Sequence, residues 1–255
     1  MSILIKLFIQ DFKRRSKDSF LIGYNIIFPI IMIILLGYLT SESYGKAFTG
    51  YHYYSVVLLP FCIALALISA AYTGKDEAYR KTAIRFLFSP INRTQIILTK
   101  LISLSLIISC CNLIVLLFSI LLFRLPVGDK LVPIFLLLAS ETFAVCAMGL
   151  FIGFGLKNFI FFKNLMNIPI ILASILAGVF YPFGTLKEGV AFVVRMSPLT
   201  WMNRSLFHYI YDNNISLLWK LTLINVLIGV GFTILAIVLF KKEEYIHGDL
   251  PGYEK

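Results

Sequence analysis

Glu141 is the one acid within six long apolar stretches of a 255-residue chain, and its position in the middle of one of them asks for an explanation. It lies about ten residues into the stretch 131–156, roughly 15 Å along a helix at about 1.5 Å per residue. A carboxyl at that depth is costly unless protonated or paired, which makes it a functional candidate by default. Two readings stand side by side. Glu141 lines a path or a subunit interface, or it closes a structural hydrogen bond with Asn112, Asn225 or an arginine of the outer segment 182–212. The rest of the reactive inventory is thin. His52, His208 and His247 are scattered, with no pair at metal-ligand spacing. Cys62, Cys110, Cys111 and Cys146 all fall within apolar stretches, where thiols serve as small packing residues. No phosphate-binding G-x-x-x-x-G-K-[ST] occurs: Gly45-Lys46 and Gly74-Lys75 both lack the upstream glycine and the following Ser or Thr. No H-E-x-x-H helix and no Ser/His/Asp set appear either. The chain is therefore expected to carry no metal, cofactor or catalytic centre of its own.

The second constellation is a charged segment, 75–93, between the second and third apolar stretches. Asp76, Glu77, Arg80 and Lys81 open it, and Ile84, Leu87 and Phe88 follow at helical spacing to give an apolar edge. Ser89-Pro90 then breaks the helix, and Arg93 and Lys100 lead into the next stretch. A connection that only reverses the chain needs few residues. This one builds a short exposed helix, which is what a docking surface for another protein requires.

The elements that must position these groups follow from composition. The chain is 59% hydrophobic and 14% charged, whereas soluble domains run about 45–50% apolar and about 25% charged. A soluble fold of this length cannot hide the excess. Six stretches have the length of a bilayer crossing, at 21–39, 55–72, 101–123, 131–156, 164–181 and 217–240. The first is expected to be a retained span and not a cleaved leader, since no small-residue cleavage site follows it. Of the 23 Lys+Arg, sixteen fall on the segments that share a side with the N-terminus and seven on the other side. The positive-inside rule then places both termini in the cytoplasm. The net charge of +10 reads as an orientation signal and an attraction to anionic lipid, not as a nucleic-acid footprint.

Before the first span, residues 1–20 place Lys6, Gln10, Lys13 and Lys17 on one side of a helical wheel and Leu4, Phe8 and Phe12 opposite. Such a helix lies in the membrane interface. Gly149-x-x-x-Gly153, followed by Gly155, and Ser174-x-x-x-Gly178 offer small-residue faces for close helix packing, within the chain first and between subunits second. Pro29, Pro60 and Pro169 fall inside spans and are expected to kink them. Beyond the fifth span, Val190, Ala191, Phe192, Val193 and Val194 are too apolar for open solvent and too few to cross, which suits an outer helical hairpin over 182–212. Ser197 is placed to cap a helix whose first residue is Pro198.

Two of these segments resemble the type-2 ABC transporter permease family. Glu77-Ala78-Tyr79-Arg80-Lys81-Thr82, then Leu87-Phe88-Ser89-Pro90-Ile91 with Arg93, and Lys100-Leu101 look like the segment after the second span of that family. Lys81 stands where the family usually has glycine. Phe180-Tyr181-Pro182-Phe183 and Ser197-Pro198-Leu199-Thr200-Trp201 resemble its element between the fifth and sixth spans. The resemblance implies an all-α membrane domain over 1–255 with six transmembrane helices. It also implies a coupling helix whose docking residues are Glu77, Arg80, Lys81, Arg85, Phe86, Phe88, Ser89, Pro90 and Arg93. The implied partners are a separate ATP-binding subunit, which holds ATP and Mg, and a second permease, identical or related, paired through the first and fifth spans. Pro182, Ser197, Pro198 and Trp201 mark the hairpin. The implied activity is ATP-driven export at a bacterial plasma membrane. The lack of polar ladders along the spans suits an amphipathic or lipophilic cargo such as a drug, antimicrobial peptide or lipid-linked molecule. The alternative from the residues alone is a proton-coupled carrier or intramembrane enzyme that uses Glu141 without an ATPase.

Overall fold

Long apolar runs close their backbone polar groups internally as helix, because lipid offers no partners. The computed structural model describes residues 3–45, 48–79, 91–156, 158–180 and 188–240, with backbone alone at 3, 77–79, 159 and 188–191, and every regular element in them is helical. In chain order these are α1 Ile3–Arg15, α2 Ser19–Leu39, α3 Gly50–Tyr79, α4 Arg93–Phe123 and α5 Leu131–Gly155. They continue with α6 Phe159–Leu176, α7 Glu188–Met196, α8 Pro198–Asp212 and α9 Ser216–Val238. Five helices, α2, α3, α4, α5 with its leading turn, and α9, are long and apolar enough to cross a membrane. The expected fifth span lies in α6, whose apolar part Ile160–Leu176 is shorter. Gly178, at φ +72°, turns the chain there, and Val179 N–H closes on the Ser174 carbonyl at 3.0 Å. Gly178 thus also serves as a helix stop, where the left-handed turn favours glycine.

Several helices run past their apolar stretch. α3 and α4 extend to Tyr79 and back to Arg93. Both carry charged residues into the helix because those side chains find partners at its end, as described below. Proline produces no break in α3 or α6, where Pro60 and Pro169 sit inside continuous helix. In α2 a π turn, Gly23–Ile27, directly precedes Pro29, and Asn25 Nδ2 donates to the Leu21 carbonyl at 2.8 Å, adding a donor where the ladder is irregular.

The bundle has two ends and a tight waist. At one end, the far end hereafter, the starts of α3 and α5 pack with α2 and α8 around Tyr54, Leu58, Leu137 and Met202. At the other, the α1 end, Ile97, Leu104, Cys146 and Phe154 form the core of α4 and α5. Between them α3 and α5 touch through small residues. A Cβ added at Gly149 would lie 2.6 Å from the Leu67 carbonyl oxygen, and one added at Gly74 would lie 2.8 Å from Gly153 Cα. The Gly149–Gly153 face therefore serves packing within the chain. Cys62 is buried in the far-end core and Cys111 and Cys146 in the α1-end core, but Cys110 faces outward, a departure from the packing role expected for all four.

This waist gives a direct test. Gly153→Ala places a methyl against the Ala71 carbonyl and Gly74, and forcing the helices apart is expected to cost about 1–3 kcal/mol. Gly231→Ala, where nothing lies within 4 Å, is expected to be neutral. Thermal unfolding of the two variants in detergent separates them.

Candidate functional site

At the α1 end the charges of the sequence are drawn into one junction. α1 has three sides. Lys6, Gln10 and Lys13 are exposed on one, and Ile5, Ile9 and Phe12 are exposed on a second. The third turns Leu7, Asp11, Arg14 and Arg15 toward the protein. Asp11 accepts from Arg14 Nη2 at 2.7 Å and from Arg15 Nε at 3.4 Å, the i+3 and i+4 partners on the helix. Both arginines then reach the last turns of α3. Arg14 Nη2 lies 3.2 Å and Arg15 Nη2 3.8 Å from Asp76 Oδ2, while Arg15 Nη1 donates to Thr73 Oγ1 at 2.7 Å.

α4 reaches the same residue from the other side. Lys100, only 3% exposed, donates from Nζ to the Thr73 carbonyl at 2.8 Å. Its ammonium also lies 5.9 Å from the centre of the Phe154 ring on α5. Lys163 on α6 donates to Tyr72 Oη at 2.9 Å with its ammonium 4.5 Å from that ring. Three helices, α1, α4 and α6, are therefore fastened to residues 72–76 of α3, where it enters the charged segment. Arg15 is 5% exposed, so these partners offset the cost of burying its guanidinium.

Of the expected docking residues, Arg80, Lys81, Arg85, Phe86, Phe88, Ser89 and Pro90 lie outside the described residues. Glu77 falls on the last turn of α3, and its side chain is likewise outside them. Arg93 is exposed as the first residue of α4, behind Asn92, whose backbone N–H donates to Gln95 Oε1 at 3.1 Å. The two flanks of the segment are thus in view, one clamped and one open.

Glu141 is 6% exposed on α5. Neither expected asparagine pairs with it. Asn112 Nδ2 donates to Thr142 Oγ1 at 3.2 Å, and Asn225 Nδ2 donates to Ser140 Oγ at 3.4 Å, the residues on either side. The expected pairing of Glu141 with these asparagines is therefore corrected: the three residues share a level in the bundle, but they do not form one network. At about 100° per residue Glu141 shares a face with Leu137, Leu138, Val145 and Met148. That face packs toward Met202 of α8 and Ile170 of α6. Among the described residues its Oε2 has no hydrogen-bond partner.

At the far end, α7 and α8 form the paired helices read from the sequence between the fifth and sixth apolar stretches, while Pro182 lies outside the described residues. Ser197 occupies the N-cap position before Pro198, but its hydroxyl does not cap α8. It donates instead to the Ala173 carbonyl at 2.9 Å. Thr200 Oγ1 and Asn203 Nδ2 donate to the carbonyls of Leu176 and Ala177 at 3.4 and 3.2 Å. The start of α8 thereby supplies donors to the carbonyls that end α6, among them Ala173, which also accepts from the Ala177 N–H at 2.9 Å. Trp201 Nε1 donates to the Arg195 carbonyl at 2.7 Å and ties α7 to α8. Lys130, ahead of α5, donates to the Ile210 carbonyl at the other end of α8. Nearby, burial raises the phenol pKa of Tyr44 and of Tyr211 to about 12, so both remain neutral hydroxyls around Phe48.

Sequence reasoning missed the junction partners. Asp11-x-x-Arg14-Arg15 carries a visible helical ion-pair spacing, but nothing local points Arg15 and Lys100 to Thr73, which is distant in sequence from both. Among the described residues no set of side chains at either end suits bond-breaking chemistry. What the arrangement can do is fix helices to one another and pass a displacement between them.

A family model described as ABC-2 type transporter matches residues 4–211, which runs from α1 to the last turn of α8. The comparison with curated proteins returned no match.

Proposed function

The chain belongs to the ABC-2 type transporter family, and on that premise we propose that this multi-pass membrane permease is the spanning half of an ATP-driven exporter. α6 counts as a sixth span beside the five long helices, and the α1 end faces the cytoplasm. ATP and Mg belong to a separate ATP-binding subunit, which docks on the segment 75–93. A second permease, identical or related, completes the path. The cargo is amphipathic or lipophilic, and the setting is a bacterial plasma membrane.

One observation supports the coupling role most directly. Arg14, Arg15 and Lys100 all converge on Thr73 and Asp76, where α3 runs into that segment. A push on the segment would reach α1, α4 and, through Lys163 and Tyr72, α6 together. The energy is the partner's, and this chain converts it into helix movement.

The test is a pull-down followed by a variant. Tagged chain is expected to bring down a P-loop ATPase and to stimulate its hydrolysis in membranes. Replacing Arg80, Phe86 and Arg93 together by alanine should remove most of that stimulation while leaving insertion intact. Undiminished stimulation would sink the coupling assignment. The second reading, a carrier that uses Glu141, draws on the unpartnered Oε2 and predicts transport with no ATPase in the preparation.

A further inference from the structure

Where α1 meets α2 the chain bends through Ser16 and Lys17, and the bend opens a cleft of about 420 Å³ against the end of α3. Arg14, Arg15, Lys17 and Ser19 line it, with Asp76 across and Phe20 at its edge. A second hollow of about 170 Å³ shares Arg15 and Phe20 and continues past Leu21 and Tyr72. One part of the cavity is cationic and the next is apolar and aromatic.

The carboxylates there are engaged. Asp18 also lines both hollows, but its Oδ1 accepts from the backbone N–H groups of Phe20 and Leu21, at 3.1 and 3.2 Å. Asp76 Oδ2 faces both arginines. The cations are not equally satisfied. Arg15 lines both hollows, and its buried Nη2, 3.8 Å from Asp76 Oδ2, makes no hydrogen bond among the described residues. Lys17 is exposed at the same rim. A buried guanidinium nitrogen without an acceptor is costly, and a phosphate oxygen supplies the acceptor a guanidinium fits best. Phe20 is 73% exposed beside it, an apolar surface that suits an acyl chain.

We propose that this elbow is a binding site for the phosphate of an anionic membrane phospholipid, held by Arg15 Nη2 and Lys17 with its first acyl carbons against Phe20. The site would hold the bend of α1 into the membrane in one geometry, and it would place a lipid in contact with the residues that fasten α1 to α3. It presupposes that the α1 end faces the anionic leaflet, as proposed above. Binding to solubilised protein depends on neither orientation nor export, so either reading can fail alone.

The experiment titrates full-length protein in neutral detergent with short-chain phosphatidylglycerol, phosphatidylcholine and inorganic phosphate, following its thermal unfolding midpoint. Phosphatidylglycerol is expected to raise the midpoint, and the other two are not. Lys17→Gln should weaken the phosphatidylglycerol response roughly five-fold in apparent affinity, the effect of about one interfacial charge. Lys13→Gln, one turn earlier on the outward side of α1, should leave it unchanged. Equal losses in the two variants would mean a diffuse basic face and overturn the site. An equal rise with inorganic phosphate or with phosphatidylcholine would overturn the lipid assignment.

Discussion

Arg15→Ala is expected to destabilise the protein by about 3–5 kcal/mol, because it removes one member of a buried, hydrogen-bonded charge group and leaves the others stranded. Asp11 loses one of its two partners, Thr73 Oγ1 loses its donor, and Asp76 keeps Arg14. The helix contact itself also loosens, since the guanidinium bridges α1 to α3. Arg14→Ala is the control: at 29% side-chain exposure its pair with Asp11 belongs to the class worth about 0–1 kcal/mol. Thermal unfolding in detergent reads the difference. Proteolysis at the α1–α2 bend should accelerate in the Arg15 variant and not in the Arg14 variant. Equal small losses in both would mean that the junction is an ordinary solvated ion pair.

Glu141→Leu is expected to act in the opposite direction on stability and in the same direction on function. A buried acceptor without a donor costs about 1–3 kcal/mol, and an apolar side chain of similar size relieves that cost. The variant should therefore unfold at a higher temperature than the natural chain while export falls. Glu141→Gln keeps the shape and polarity, so a role for the ionisable group itself would show as lost export in both variants. Unchanged export in both would reduce Glu141 to a structural feature. A stable protein that no longer transports cannot be explained by misfolding, which is why stability and transport must be measured together. Proteins retain such unsatisfied groups where activity needs them, and replacing them raises stability at the expense of function.

Much of the architecture was legible because lipid makes the code simple. Apolar length alone located α2, α3, α4, α5 and α9, and the Gly149–Gly153 spacing located the waist. The boundaries were harder. α3 and α4 carry Lys75, Asp76 and Lys100 into helix, against a rule that ends a span at its first charge. The reason lies in tertiary partners: Lys100 reaches the Thr73 carbonyl across helices, a pairing with no sequence signal. The shortness of α6 was missed for a related reason. Its apolar stretch continues to Phe180, but the left-handed Gly178 stops the helix and three α8 side chains complete its end. Ser197 illustrates how one residue type serves two ends. Its position before Pro198 announces a cap, and the hydroxyl then turns to another helix altogether. Glu141 was found by type alone, yet its surroundings were not: Asn112 and Asn225 stand at its level and bond its neighbours.

The ending of α6 bears on leakage. A helix that stops inside a membrane protein normally leaves carbonyls that recruit water, and ordered water at depth is a route for protons and small ions. Here Ser197, Thr200 and Asn203 take the place of that water. α8 thus seals the end of α6 with short polar side chains. Any motion that lifts α8 from α6 breaks the seal and exposes those carbonyls together.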